Sequence, residues 1–306
     1  MIPASFDYLR PATIAEALEM ASLDEDAVFL AGGHALLPEC KLRRRRPSTL
    51  IDLGRIGGLR GIEVLEGRVA PLTSGPDRVV RLGAMTTSAE IEHSPEVART
   101  TPLLPLAAAV ISDPLIRNRA TLGGSLAEAD PRGDWPPVVL AAGATMHLRS
   151  RDGERAVPAH DFFTVDKGEH GRGSTALRPG ELLTAVTVPA AGAGTRSTYL
   201  KRMHPASGHA MIGVAVAATF DAGETCRDCR IAIAGAATSA ARAAEAEGCL
   251  AGVRLTPEAI EAAASVANNG IEFTGDPFGS AAYLAELLPV YVIRALSQIA
   301  IPSTSI

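Results

Sequence analysis

The sequence predicts an α+β fold in three blocks: two α/β lobes followed by a domain of strands and then helices. Three observations carry this. Apolar, β-branched runs alternate with helix-period stretches through the first two blocks. Glycine pairs sit between strand patterns and further ordered structure at 31–36 (AGGHAL) and 121–125 (TLGGS). Beyond Arg178-Pro179-Gly180, four strand patterns follow one another before helices take over.

The first block, 1–57, opens with a helix pattern at 13–21. A buried-strand pattern follows at 27–31 (AVFLA), then Gly32-Gly33, a short helix at 36–42 and a strand at 49–53 (TLIDL). The second block, 58–176, has a strand at 79–82 and a capping-box spacing at Thr87 and Glu90. It continues with an Ala-rich helix at 103–111 and the glycine turn TLGGS. Asp134 then stands as the cap of a helix with Pro136 and Pro137 in its first turn and Gly143 at its end. A hairpin joins 145–149 to 154–157 around Asp152-Gly153. The third block, 177–306, has strand patterns at 182–188, 198–202, 212–219 and 230–234. A helix starts at Thr256-Pro257-Glu258 and stops by Gly270. The final helical stretch, 280–299, contains Pro289, which should kink or split it.

Composition excludes several classes of function. A net charge of -5 argues against a nucleic-acid partner, which needs a basic face. The basic run at 43–46 is short and reads as a solvated face or a contact for an acidic partner. No apolar run approaches the roughly 20 residues that span a bilayer. The N-terminus shows no secretory pattern, so the expected compartment is the cytoplasm. Four cysteines, Cys40, Cys226, Cys229 and Cys249, do not form a disulfide framework. Cys226 and Cys229 make a CxxC ahead of a strand, but two further ligands at metal spacing are missing. His93, His160, His170, His204 and His209 show no ligand spacing either.

The two glycine pairs carry the chemical argument. A diphosphate needs several backbone N–H donors converging on one anion, and side chains there would block its approach. Thr121 and Ser125 can add hydroxyls. Two such turns in separate lobes suit an extended dinucleotide clamped between them. The usual dinucleotide fingerprint, GxGxxG between strand and helix, is absent, as is GxxxxGK[ST]. Gly192-Ala193-Gly194 follows a strand but precedes no helix pattern.

These residues resemble a known family. LAGGHALLPECKLRRRRPSTLIDLGRI (30–56) and SDPLIRNRATLGGSLAEADPRGDWPPVVLAAGA (112–144) are similar to the two flavin loops of the FAD-binding medium subunits of the xanthine dehydrogenase and aerobic carbon monoxide dehydrogenase group. MIPASFDYLRPATIAEAL is especially similar to the carbon monoxide dehydrogenase-type medium chains, and YLKRMHPASGHAMIGVAVA (199–217) resembles the start of the family's C-terminal domain. The resemblance implies a PCMH-type FAD-binding domain of two α/β lobes, followed by a C-terminal α+β domain of antiparallel sheet and helices.

It also implies roles for individual residues. Ala31, Gly32, Gly33, His34, Ala35 and Leu36 fall on the first pyrophosphate loop. Thr121, Leu122, Gly123, Gly124 and Ser125 fall on the second, with Ile111 and Asp130 counted beside it. Asp134 falls on an acidic position that contacts the cofactor, Lys201 on a lysine near the isoalloxazine, and Leu183 on an apolar contact to that ring. No catalytic residue and no metal ligand is expected. The sequence departs from the family where Ala35 replaces a serine or threonine, Leu115 a glutamine and Ala120 a glycine. HPASGH (204–209) departs from an arginine-rich segment, and Pro289 stands in a helix that is usually continuous.

The implied function is an electron relay. FAD on this chain would take electrons from [2Fe-2S] clusters of a small partner subunit, after a large molybdopterin-binding subunit has oxidised substrate. It would pass them to an external acceptor, in a dimer of heterotrimers. Two other readings stand beside it at this point: a stand-alone flavin oxidase of the broader PCMH group, and an assembly subunit that has lost FAD.

Overall fold

The structure, a computed structural model, describes residues 1–67, 78–164, 174–235, 237–276 and 278–300. His170 lies outside them. The first lobe is a small parallel sheet with its helices: β1 (Asp7–Leu9), α1 (Ile14–Ser22), β2 (Val28–Leu30), α2 (Leu36–Lys41) and β3 (Thr49–Asp52). Thr13 caps α1 by accepting from the Glu16 amide. The strand order is β1-β3-β2. β1 was not foreseen; it has three residues and lies exposed at the sheet edge.

The second lobe opens with β4 (Ile62–Glu66) and β5 (Arg78–Gly83), and a run of short helices follows. These are α3 (Ser88–Glu92), α4 (Pro95–Thr100), α5 (Leu103–Ala108), α6 (Pro114–Arg117), α7 (Leu122–Glu128) and α8 (Trp135–Ala141). The capping box at the head of α3 forms as expected, with the Thr87 amide on Glu90 Oε2 at 2.8 Å. Next come the hairpin β6 (Thr145–Arg149) and β7 (Glu154–Pro158), α9 (Ala159–Phe162), and the short pair β8 (Phe163–Thr164) and β9 (Ser174–Thr175).

The strand at 182–188, expected in the third block, belongs to this lobe. β10 (Leu182–Pro189) is the middle strand of an antiparallel sheet ordered β4-β5-β10-β6-β7. It pairs with β5 on one side and β6 on the other. Its pattern of near-continuous burial reflects that central position. The second lobe therefore runs through residue 189, not 176.

The third domain is a meander, β11 (Thr195–Met203), β12 (Ala210–Phe220), β13 (Cys226–Ala234) and β14 (Ala241–Arg242), followed by α10 (Ala244–Leu250), α11 (Pro257–Ser265) and α12 (Ala281–Ala300). Cys226 and Cys229 lie inside β13, buried, and not ahead of it. The domain's sheet is covered on both faces. α10, α11 and α12 close one core with Val214, Val216, Ile231 and Ile233. On the other side Tyr199, Ala215 and Ala232 join the core of the second lobe, packed on α8, whose seven residues are all buried. The second lobe and the third domain thus share one core.

α12 runs unbroken through Pro289, against expectation. Proline removes the N–H that the Ala285 carbonyl would accept. Asn268 Nδ2 supplies that donor instead, at 2.8 Å. Asn268 Oδ1 is buried without a partner, so the contact serves the helix and not the asparagine. Asn268→Ala is expected to cost about 1 kcal/mol, the worth of one such bond. In a Pro289→Ala background the amide returns, and the same substitution should cost clearly less. A double-mutant cycle by urea unfolding reads the coupling directly.

Candidate functional site

One cleft of about 1250 Å³ is lined by both lobes and the third domain. It exceeds the roughly 300–1,000 Å³ of ordinary small-molecule pockets, as an extended dinucleotide requires. Ala31, Gly32, Gly33, His34, Ala35 and Leu36 line it from the first lobe. Thr121, Gly123, Gly124, Ser125, Ile111, Asp130, Asp134 and Leu183 line it from the second. Leu122 does not: it is fully buried in the core behind the wall.

The two glycine segments touch. A Cβ on Gly32 would lie 2.3 Å from the Arg119 carbonyl oxygen, and one on Gly124 would lie 3.3 Å from Ala31 Cβ. The segments differ in what they offer a ligand. In the first, Gly33 takes a positive φ of 80°, a conformation suited to glycine. Among the described residues the amides of Gly32, Gly33, His34 and Ala35 have no protein acceptor. Four successive donors without protein acceptors are what an anion-binding loop requires.

The second segment is not a turn but the first turn of α7, capped by Thr121. Its amides are already committed. Leu122 donates to the Thr86 carbonyl at 2.9 Å, Gly123 to the Ala84 carbonyl at 2.8 Å, Gly124 to Thr121 Oγ1 at 3.2 Å and Ser125 to the Thr121 carbonyl at 3.1 Å. Gly123 is there for packing, since a Cβ would meet Ala84 Cβ at 2.5 Å. From this segment the hydroxyl of Ser125 is the group left facing the cleft. At the second segment, therefore, the amides serve the protein's own hydrogen bonds, while those of the first stay free of protein acceptors.

Asp134 takes the N-cap position of α8, yet its carboxylate caps nothing. Oδ1 accepts from Tyr199 Oη at 2.6 Å and Oδ2 from Lys201 Nζ at 2.9 Å. Lys201 Nζ also donates to the Val110 carbonyl at 3.1 Å. Gly213 on β12 makes room for Tyr199, because a Cβ there would lie 2.5 Å from the hydroxyl. Burial is the largest influence on the Asp134 carboxyl and raises it, while the Lys201 ammonium and the Tyr199 hydroxyl act the other way. Burial also keeps the Tyr199 phenol protonated, as its donor role requires. Lys201, expected beside a flavin ring, does not line the cleft. Its ammonium is spent behind the wall, on Asp134.

Leu183 reaches the cleft through an irregularity. The β6–β10 register shifts between Leu183 and Ala185, and bulges re-aim side chains at such places. Glu181 beside it is held below the usual carboxylate range by Arg155, which bonds it at 2.7 Å. At Asp130 burial opposes the charge, but the two-pronged bond from Arg132 prevails and keeps its carboxyl low.

Sequence reasoning missed several lining groups. Arg44 and Arg45, read as part of a solvated run, line the cleft, and Arg45 bridges the lobes to Glu128 at 3.3 Å. Trp135 and Ser88 line it too, joined by an Nε1–Oγ bond of 3.2 Å. The third domain adds Ser207, Gly208, His209 and Asp276. His34, on the first loop, is exposed and lines the cleft.

Comparison with known proteins decides what this cleft belongs to. The family described as "FAD binding domain in molybdopterin dehydrogenase" matches residues 4–191, and "CO dehydrogenase flavoprotein C-terminal domain" matches 197–299. The chain belongs to the FAD-binding medium subunits of the molybdenum hydroxylases. It is 37% identical over 298 residues to the carbon monoxide dehydrogenase medium chain of Hydrogenophaga pseudoflava, covering 97% of this chain and 98% of that one. It is 35% identical over 291 residues to the nicotine 6-hydroxylase medium subunit of Paenarthrobacter nicotinovorans, covering 95% and 96%. A solved structure of carbon monoxide dehydrogenase from Hydrogenophaga pseudoflava, lacking the Mo-pyranopterin moiety, superposes with a TM-score of 0.87 at 38% identity, covering 97% and 98%. This medium subunit is thus an oxidoreductase component, and FAD is its family's cofactor. The cleft fits that cofactor: the residues that carry the four free amides line it, and the lack of a Cβ at Gly32 lets the two glycine segments close on each other. The likeness to a carbon monoxide and to a nicotine enzyme is nearly equal, so it follows the subunit and not a substrate. No helix among the described residues is long and apolar enough to cross a membrane.

Proposed function

We propose that this subunit relays electrons from [2Fe-2S] clusters of a small partner subunit, through FAD in the cleft, to an external acceptor. A large molybdopterin-binding subunit would oxidise the substrate, in a cytoplasmic dimer of heterotrimers. Bound FAD supplies chemistry that joins one-electron carriers to two-electron acceptors; the protein sets its position and electrostatics.

The observation that carries this reading is the row of unpaired amides at Gly32, Gly33, His34 and Ala35. They would hold the diphosphate, with the Ser125 hydroxyl opposite and Thr121 fixing the head of α7. Ala31, Leu36, Gly123 and Gly124 shape the bed by close packing. Ile111 and Leu183 give the ring an apolar wall, and Asp130 and Asp134 line the same cleft. The committed amides and buried Leu122 act from behind, as scaffold.

The purified chain is expected to carry one FAD, seen as flavin absorbance and released on denaturation. The complex captured through this chain should contain molybdenum and iron in addition. A native chain that neither retains nor takes up FAD would overturn the cofactor assignment. FAD without co-purifying molybdenum and iron would return the case to a stand-alone oxidase.

A further inference from the structure

We infer that Asp134 is the counter-charge of the flavin site: its carboxylate cancels the Lys201 ammonium, so this wall of the cleft presents no net charge to the cofactor. The inference rests on the FAD reading above. Four observations lead to it. Asp134 lines the cleft, and Lys201 Nζ stands 2.9 Å behind it. Both side chains are withdrawn from water, at 2% exposure for Lys201 and 6% for Asp134. Water therefore does little to screen either charge. Each oxygen of the carboxylate accepts from the third domain, one from Tyr199 and one from Lys201, and neither caps the helix. The pair also joins two domains, because Asp134 sits on α8 of the second lobe and Lys201 on β11 of the third.

The arrangement is asymmetric under substitution. Asparagine at 134 keeps the shape but removes the negative charge. The ammonium keeps the Val110 carbonyl as an acceptor; held charged by it, the ammonium stands uncompensated one hydrogen bond from the cleft, and a cation there favours added electrons. Removing Lys201 has a different result. A buried carboxylate without its partner sheds its charge by taking up a proton, and burial already raises the Asp134 carboxyl. The wall stays neutral. Asp134 is therefore a positioning residue for charge, acting through Lys201, and not a catalytic one.

The test is the flavin midpoint potential of the FAD-loaded chain, measured by dye-coupled titration in four variants. Asp134→Asn is expected to raise the potential. Lys201→Met should leave it near the native value, and the Asp134→Asn/Lys201→Met double variant should return it there. Tyr199→Phe, which keeps both charges, should lower thermal stability without moving the potential. A native potential in Asp134→Asn with FAD bound at native stoichiometry would overturn the inference, as would a double variant as shifted as the single. Should Asp134→Asn fail to hold FAD, the same cancellation is read from stability. The double variant should then recover most of the loss, and a loss equal to the sum of both singles would overturn it. Failure of the native chain to bind FAD would overturn the cofactor reading and this inference with it, whereas a native potential in FAD-loaded Asp134→Asn overturns this inference alone.

Discussion

Alanine at Gly32 is expected to abolish stoichiometric FAD binding and to destabilise the chain by about 1–3 kcal/mol, the usual cost of forcing atoms into a packed site. The added Cβ would lie 2.3 Å from the Arg119 carbonyl oxygen and 3.1 Å from Ala120 Cα. Both are backbone atoms of the second lobe, so no side chain can swing aside. The first-lobe loop must withdraw, and its four free amides withdraw with it, away from Ser125. Gly58 provides the control, because a Cβ there meets nothing within 4 Å. Flavin absorbance per chain and urea unfolding of both variants check the expectation. An alanine at 32 that binds FAD as tightly as the native chain would show that the cradle tolerates separation of the lobes.

Trp135→Ala should be the most destabilising single change, at about 3–5 kcal/mol. The ring is 2% exposed, sits at the first helical position of α8, and forms part of the core shared by the second lobe and the third domain. Truncation opens a cavity between two sheets that have little freedom to collapse. It also leaves the Ser88 hydroxyl without its indole donor. Trp135→Phe should cost only a fraction of this, since it keeps most of the volume and loses mainly the bond. Circular dichroism during denaturation separates the two. The native protein offers a further check, because Trp135 is the single tryptophan of the chain and lines the cleft. Its fluorescence should therefore report cofactor binding as well as unfolding.

Features held by nearby hydrogen bonds were legible in the sequence. The Thr87–Glu90 capping box, the Thr256-Pro257 helix start and α2 after Gly33 all depend on contacts within a few residues. Features set by distant pairing were not. Residues 182–188 read correctly as a strand, but nothing local says that its neighbours are residues 78–83 and 145–149. TLGGS read as a turn because glycine is a poor helix former. It is helical because Ala84 and Thr86 accept the first amides of α7 and the close packing admits no larger residue. For Lys201 the family resemblance pointed to the ring, whereas in the structure its ammonium meets Asp134. Its partner was hidden, because Asp134 lies on another domain. The signal available was strand alternation, which puts Tyr199 and Lys201 on one face of β11.

The placement of β10 has a consequence for biosynthesis. During translation, β4 to β7 leave the ribosome before the strand that sits between β5 and β6. Until residue 189 has emerged, two hairpin halves each carry an unsatisfied edge toward a gap, and open edges invite wrong pairing. Such long-range closure is slow. The flavin cleft takes Leu183 from that same late strand, so a nascent chain cannot complete its cofactor bed before most of the polypeptide has been made.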